Sequence, residues 1–284
     1  MRTKLMAVAF VVAVTAVGCG DGGEGVVVEG AAPATPYSGP LHVPARNLDE
    51  DSPRATRIES GAAGRALECD GEIYSGGGSE PWSEGDGGST AAEGLQAYFD
   101  IEQPDVPRTG YREERREGDR VLYSLDVEGH TKVAVIVAKD RKNRPGWGAE
   151  TSASCDPAEL PESFTDAQWY EIWTGRDGRR VPITTVNSSV GPEHCDWQEA
   201  RFLSTGRGED GRLYARDPAK VLPPGSLTSS YDGDVRLPAD ARDTGYRYKD
   251  RELWLTDHDP TTAYIRTPDG VEAWPEVKDG FGCK

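Results

Sequence analysis

The sequence has few of the residues and motifs that common enzymes use for nucleophilic and acid–base chemistry. Only four of its 284 residues are histidines. It contains no Gly-x-Ser-x-Gly nucleophile elbow, no Ser-x-x-Lys pair and no His-Glu-x-x-His zinc motif. Two literal Gly-x-Gly-x-x-Gly matches, at residues 20–25 and 206–211, lack the preceding strand and following helix that a dinucleotide site requires. We therefore expect no cofactor, and an enzyme is the less favoured hypothesis.

Basic residues are also scarce. The chain has 32 lysines and arginines against 49 acidic residues, a formal net charge of −17. A surface of this sign repels nucleic acid and anionic lipid headgroups. We therefore expect no nucleic-acid partner, and the acidic excess by itself indicates solubility rather than any particular ligand.

Long apolar runs are absent except for residues 5–17, which follow Arg2 and Lys4. Thirteen residues are too few to span a bilayer, and a short basic start before a short apolar run is typical of an export signal. The stretch Ala16 to Cys19 resembles the lipobox of bacterial lipoproteins, although Ala16 stands where that family more often has leucine. The resemblance implies a signal peptide over residues 1–18 and a lipid-bearing Cys19 that holds the protein on the extracytoplasmic face of the cell membrane. A plain secreted protein and an uncleaved leader are the alternatives.

The five cysteines are too far apart for a zinc site, whose ligands are typically two to four residues apart. Without Cys19, an even number remains in an oxidising compartment, which predicts two disulfides. Three pairings are possible. We favour Cys69 with Cys155 and Cys195 with Cys283, because each pair then closes one candidate domain.

Residues 19–63 are rich in glycine, proline, alanine and acids, and they contain one aromatic residue, so we expect a disordered tether. Two small α+β domains are predicted after it, at residues 64–160 and 161–284, each mainly an antiparallel sheet with one or two helices. In the first domain the pattern predicts a helix at 89–99 and strands at 111–116, 121–127, 131–139 and 148–155. In the second it predicts short helices at 167–173 and 195–203 and strands at 181–186, 212–216, 245–249, 252–256, 263–267 and 271–274.

Two tryptophans, Trp82 and Trp147, stand in turn-like sequence rather than in strands. A tryptophan in a loop can stack on a ligand, or it can fold back as a lid on the core. We favour the lid and keep ligand binding as the alternative. The other five tryptophans are predicted to be core residues, namely Trp169, Trp173, Trp197, Trp254 and Trp274.

The densest group of metal-ligand residue types is Asp257, His258 and Asp259. It lacks the glycine and glutamate positions of a calcium loop, and Pro260 favours a simple turn. These three residues are therefore only weak metal candidates, and we predict no metal.

The second half resembles surface lipoproteins of high-GC Gram-positive bacteria (actinomycetes), through Cys195 to Gln198 and through Val271 to Pro275 close to the terminal cysteine. The resemblance implies no assigned activity. We expect a membrane-anchored binding or interaction module whose partner is an envelope component or an exported protein. The alternatives are an envelope hydrolase that uses paired carboxylates and a structural lipoprotein without a ligand. The sequence leaves the oligomeric state open.

Overall fold

A computed structural model describes residues 25, 28–44, 46–48, 50, 52–80, 82–166, 168–208, 211–278 and 280. The predicted leader, Cys19 and Cys283 lie outside these ranges. Among the described residues, no helix combines the length and the apolar character that crossing a bilayer requires.

The described helices and strands divide between two halves of the chain. The α-helices are α1 (Pro53–Glu59), α2 (Gly61–Ala66), α3 (Ala91–Ile101) and α4 (Glu162–Thr165). The strands of the first half are β1 (Ile73–Gly78), β2 (Tyr111–Glu117), β3 (Arg120–Val127), β4 (His130–Lys139) and β5 (Trp147–Cys155). Those of the second half are β6 (Tyr170–Ile172), β7 (Val186–Val190), β8 (Arg201–Thr205), β9 (Arg212–Arg216), β10 (Arg242–Tyr248), β11 (Arg251–Leu255), β12 (Thr262–Thr267) and β13 (Gly270–Pro275).

The first half is an antiparallel sheet in the order β1-β5-β4-β3-β2, with helices on both faces. Side chains of β4 alternate between the faces because successive residues of a strand point to opposite sides. Val133, Val135 and Val137 pack with α3, whereas Ala134 and Ile136 pack with α2. Both faces of the central strand are thus buried.

Helix α3 begins at a capping box. The Thr90 side chain accepts a hydrogen bond from the Glu93 backbone N–H, and the Glu93 carboxylate accepts one from the Ser89 backbone N–H at 2.6 Å. Leu95 and Phe99, four residues apart, are buried on the sheet. The predicted helix is confirmed, as are the four strands predicted after it.

The second half consists of two four-stranded antiparallel sheets, β6-β7-β8-β9 and β10-β11-β12-β13. Side chains of both sheets meet in one core. Its buried aromatic residues are Trp173, Tyr214 and Trp274. Isolated bridges from Thr174 to Arg247 and from Tyr214 to Glu276 join the sheets at both edges. This half is therefore a sheet sandwich closed at its two sides.

The two halves contact each other. The Ile183 backbone N–H donates to the buried Asp156 carboxylate at 3.0 Å, and Arg180 bonds to the Leu160 carbonyl and to the Thr165 hydroxyl. Antiparallel sheets with few helices make the chain α+β or mainly β in class. The division into two domains stays a prediction.

Four expectations of local structure differ from what the structure has. The strand predicted at 181–186 is wrong, because residues 183–185 form a turn and the strand β7 begins only at Val186. Residues 53–66, most of which were expected to lie in the tether, form α1 and α2, and Leu41 is also buried. The helix predicted at 167–173 is wrong, because β6 pairs with β7 there. The helix predicted at 195–203 is also wrong, because β8 pairs on both sides from Arg201 onward.

The predicted disulfide between Cys69 and Cys155 is present and links the chain before β1 to the end of β5. Cys195 is also disulfide-bonded. Because Cys283 lies outside the described residues, its pairing with Cys195 stays a prediction.

Candidate functional site

A cleft of about 440 Å³ opens on the α3 face of the first sheet. Its walls are the edge strand β1, the end of β5, the C-terminal half of α3 and the segment around Trp169. The N-terminal half of α3 approaches β5 closely at Gly94, where a Cβ atom would lie 2.8 Å from the backbone of Trp147. The C-terminal half of the helix borders the cleft instead.

Two neighbouring glycines of β1 have opposite surroundings. A Cβ atom at Gly76 would lie 2.1 Å from the Ser60 hydroxyl and 2.8 Å from the Ser152 carbonyl, so the backbone there is packed against other residues. A Cβ atom at Gly77 would meet nothing within 4 Å, and Gly77 does not adopt a left-handed φ. Gly77 lines the cleft and keeps it open, because it has no side chain to fill the space.

Hydroxyl groups line the sheet side of the cleft. The Ser75 and Ser154 hydroxyls lie 2.9 Å apart, and Ser152 is hydrogen-bonded to the Tyr98 side chain. Burial raises the pKa of Tyr98 to about 12, so its phenol is neutral at physiological pH. Each of these groups can both donate and accept a hydrogen bond.

One carboxylate reaches this cleft. The Ser79 hydroxyl donates to Glu102 at 3.2 Å. Desolvation raises the pKa of Glu102, against the opposing effects of that bond and of the Arg141 charge. Among the described residues that line the cleft, Glu102 is the one acidic side chain, and none is lysine, arginine or histidine. The cleft therefore has little charge.

Tyr111 lines the cleft from within the core, in edge contact with Phe99 at 5.0 Å between ring centroids. Its side chain is fully buried, and its hydroxyl has no hydrogen-bond partner among the residues that the structure describes. Burial also raises the pKa of Tyr111 well above its ordinary value. A buried hydroxyl without a partner lowers the stability of the fold, and such groups are uncommon in native proteins.

Trp169 lies at the border of the cleft with 68% of its surface exposed. Its ring meets Tyr170 edge to face, with centroids 5.4 Å apart. The prediction that Trp169 is a core residue is wrong, because it depended on a helix that does not form. An exposed tryptophan beside a cleft is a feature typical of binding sites.

The predicted candidates Trp82 and Trp147 border a neighbouring cleft of about 420 Å³. Trp82 is 8% exposed, packs on Gly148 and donates its indole N–H to the Pro145 carbonyl at 3.0 Å. Trp147 is partly buried against the α3 core. This arrangement agrees with the lid interpretation of Trp82. Exposed Ile101 also lines the second cleft.

The weak metal candidates are engaged in local contacts. Asp257 pairs with Arg242, and Asp259 accepts bonds from the Thr261 N–H and hydroxyl, which lower its pKa. The His258 backbone N–H donates to the Thr256 hydroxyl at 3.1 Å. In the described part of the chain, the metal-ligand residue types that cluster closely are Cys69, Cys155 and Glu159. Those two sulfurs form the disulfide, so they are not thiolate ligands.

The sequence patterns do not predict this site. They indicate no strand at the glycines of β1, and they place Trp169 in the core. The one available signal was the run Gly76 to Gly78 next to Tyr74 and Ser75, which is unusual inside a strand.

No protein-family model matches the chain, no curated protein is significantly similar to it, and no solved structure matches it. Similarity therefore shows no family, and the resemblance to actinomycete surface lipoproteins stays a prediction. The geometry of the cleft carries the functional conclusion.

Proposed function

We propose that this chain is a lipid-anchored, extracytoplasmic binding module whose ligand occupies the cleft between β1 and α3. The anchor and the export rest on the leader and on Cys19, which lie outside the described residues. The two predicted domains, 64–160 and 161–284, are part of the same proposal. The cleft belongs mainly to the first, and the second contributes Phe164, Gln168, Trp169 and Tyr170.

The observation that carries the binding function is the combination of an exposed Trp169 and an unpaired, buried Tyr111 hydroxyl at one cleft. Small-molecule sites are concave, mostly apolar and fitted with a few polar groups, and they span roughly 300–1,000 Å³. The cleft, at about 440 Å³, is of this size. These features favour a ligand-binding protein over a passive structural lipoprotein.

The same cleft favours binding over hydrolysis. Glycosidic chemistry with paired carboxylates needs two acidic groups, roughly 5–10 Å apart, on either side of the bond that is cleaved. Glu102 is the one acidic side chain among the described lining residues. We therefore assign no catalytic role to this site.

Replacing Gly77 tests the binding function. Gly77→Leu fills the cleft from a position where a Cβ atom meets no neighbour, so we expect normal folding and loss of binding. Gly71→Leu is the matched control, since Gly71 is exposed, lies outside this cleft and has its nearest contact at an ordinary 3.5 Å from Glu159.

The measurement is cosedimentation of the full chain with envelope fragments of the bacterium that produces it. Wild type and Gly71→Leu are expected to sediment, and Gly77→Leu is expected to stay in solution. Equal sedimentation of all three proteins contradicts the assignment of the cleft.

A separate measurement tests the anchor. Wild type grown with labelled palmitate is expected to carry label in the membrane fraction, whereas Cys19→Ser is expected to carry none. Label in both proteins, or in neither, contradicts lipidation at Cys19.

A further inference from the structure

The charge of the cleft limits the chemical classes of ligand that it can bind. Among the described lining residues there is no basic side chain, and Glu102 supplies one negative charge. Phosphate, sulfate and carboxylate groups are normally bound by arginine, lysine or helix N-termini. An anionic ligand would instead meet the Glu102 carboxylate, and Arg141, whose charge acts on Glu102, does not itself line the cleft.

The polar groups of the cleft are neutral and are mostly hydroxyls and amides. Ser75, Ser152, Ser154 and Tyr98 offer hydroxyls, and Gln103 and Gln168 offer amides. Such groups act as donors and as acceptors. Each hydroxyl can make more than the one hydrogen bond that it has within the protein, so a ligand that carries several hydroxyl groups matches them, whereas an aliphatic chain would leave this remaining capacity unused.

The aromatic groups supply the apolar part of the site. Trp169 and Tyr170 meet edge to face at an interplanar angle of 79°, so the two rings are not stacked on one another. Trp169 is free to cover the apolar C–H face of a sugar ring, since most of its surface is exposed. An aromatic surface beside a row of hydroxyls is complementary to a molecule with one apolar face and a polar rim.

Tyr111 provides the observation that points to an occupant. Its side chain lines the cleft, and its buried hydroxyl has no hydrogen-bond partner in the described part of the chain. Native proteins leave only a few buried polar groups without a hydrogen-bond partner. A hydroxyl of the ligand at the inner end of the cleft would complete its hydrogen bonding.

From these four observations we infer that the ligand is a neutral glycan, with one sugar ring stacked on Trp169 and one hydroxyl bonded to Tyr111. This inference rests on the proposed binding function and specifies the chemical class of the ligand. Recognition uses hydroxyl, amide and aromatic groups, and Glu102 accepts a hydrogen bond from a sugar hydroxyl.

The test uses the full chain and a panel of neutral oligosaccharides, acidic oligosaccharides and peptides, with isothermal titration calorimetry of every hit. We expect at least one neutral glycan to bind and no acidic one to do so. Trp169→Ala and Gly77→Leu are each expected to weaken that binding by about tenfold or more, which corresponds to about 1.4 kcal/mol.

Tyr111→Phe separates a ligand contact from a structural role. The change removes a hydroxyl that is unpaired in the fold, so thermal stability is expected to stay equal or to rise. Affinity for the glycan is expected to fall by about tenfold, the value of one hydrogen bond to a buried group. Unchanged affinity overturns this role of Tyr111, whatever the melting temperature.

The outcomes distinguish the ligand class from the function. Binding of envelope fragments that Gly77→Leu abolishes, without any neutral glycan hit, overturns the glycan and leaves the binding module. If a peptide or an acidic glycan is the ligand that Gly77→Leu displaces, the glycan is again wrong. If Gly77→Leu affects neither kind of binding, both proposals fail.

Discussion

Lys132 offers the sharpest test of the packing in the first half. Its side chain is 4% exposed, on the α2 face of β4. The ammonium donates to the Glu159 carboxylate at 2.8 Å, to the Glu68 carbonyl at 2.9 Å and to Asp70 at 3.2 Å. All three of its protons therefore have partners, and Lys132→Met removes these bonds while keeping much of the side-chain volume.

The expected loss in the free energy of unfolding depends on the contacts that Glu159 keeps when Lys132 is replaced. Glu159, whose side chain is 11% exposed, loses its cation but still accepts the backbone N–H groups of Asp70 at 2.8 Å and Gly71 at 3.0 Å. Removing one partner of a buried ion pair costs roughly 3–5 kcal/mol, and the two remaining donors place this case near about 3 kcal/mol. The Lys132–Asp70 pair adds little, because Asp70 is 85% exposed.

The assay is urea unfolding of the full chain at neutral pH, followed by tryptophan fluorescence. The double variant Lys132→Met with Glu159→Gln is expected to be more stable than the sum of the single changes predicts, by about 1–2 kcal/mol. Arg242→Met is the control, since its pair with Asp257 is exposed on both sides and contributes up to about 1 kcal/mol. A loss for Lys132→Met no larger than that of the control refutes the reasoning.

Three further predictions concern stability. Cys69→Ser with Cys155→Ser opens a link across 86 residues and is expected to cost about 4–5 kcal/mol in the free energy of unfolding, measured with urea; a loss below about 1 kcal/mol argues against this disulfide. Gly148→Ala places a Cβ atom 2.1 Å from the Trp82 ring and is expected to cost about 1–3 kcal/mol with a red shift in fluorescence; an unchanged spectrum and midpoint count against the packing of Trp82. Burial raises the pKa of Tyr98 to about 12, above its value of about 10 in the unfolded chain, so its contribution is complete below pH 10 and is lost as the pH rises toward 12. Urea midpoints at high pH are expected to fall less in Tyr98→Phe than in wild type, and parallel curves disprove this effect.

The meander of the first sheet could be predicted from sequence because its signal is local. Val121 to Val127 and Val133 to Ala138 are rich in β-branched and apolar residues, and Glu128 and Gly129 both take a left-handed φ at the turn between them. The same holds for the strands β9 to β13, which Asp, Gly and Pro separate clearly. In these segments the pattern of apolar side chains and the turn-forming residues predict the same strands.

Strand β1 could not be predicted, because its state depends on its partner rather than on its own side chains. Gly76 to Gly78 have no β propensity, yet they pair with Thr151 to Ala153. Residues 61–66 are a similar case. Their small residues are typical of an unstructured segment, but small side chains also let α2 lie close to the sheet, where Ala62 and Ala63 are fully buried.

The site was missed for a related reason. The apolar spacing at residues 167–173 and 195–203 also fits a helix. These segments contain the strand β6 and the start of strand β8 because both strands pair with β7, which the local sequence does not reveal. A helix at 167–173 would bury Trp169, so the apolar pattern predicts a core residue where the structure has an exposed one. The unpaired hydroxyl of Tyr111 is a property of the packed structure and leaves no trace in the sequence.

The most direct test of the proposed binding cleft is a calorimetric titration of the full chain with soluble polysaccharide released from the cell envelope of the organism that produces it. Wild type and Gly77→Leu are titrated side by side. We expect a saturable binding heat for wild type and none for Gly77→Leu, with equal melting temperatures for the two proteins. Equal heats for the two proteins would show that the ligand lies elsewhere and would contradict the account.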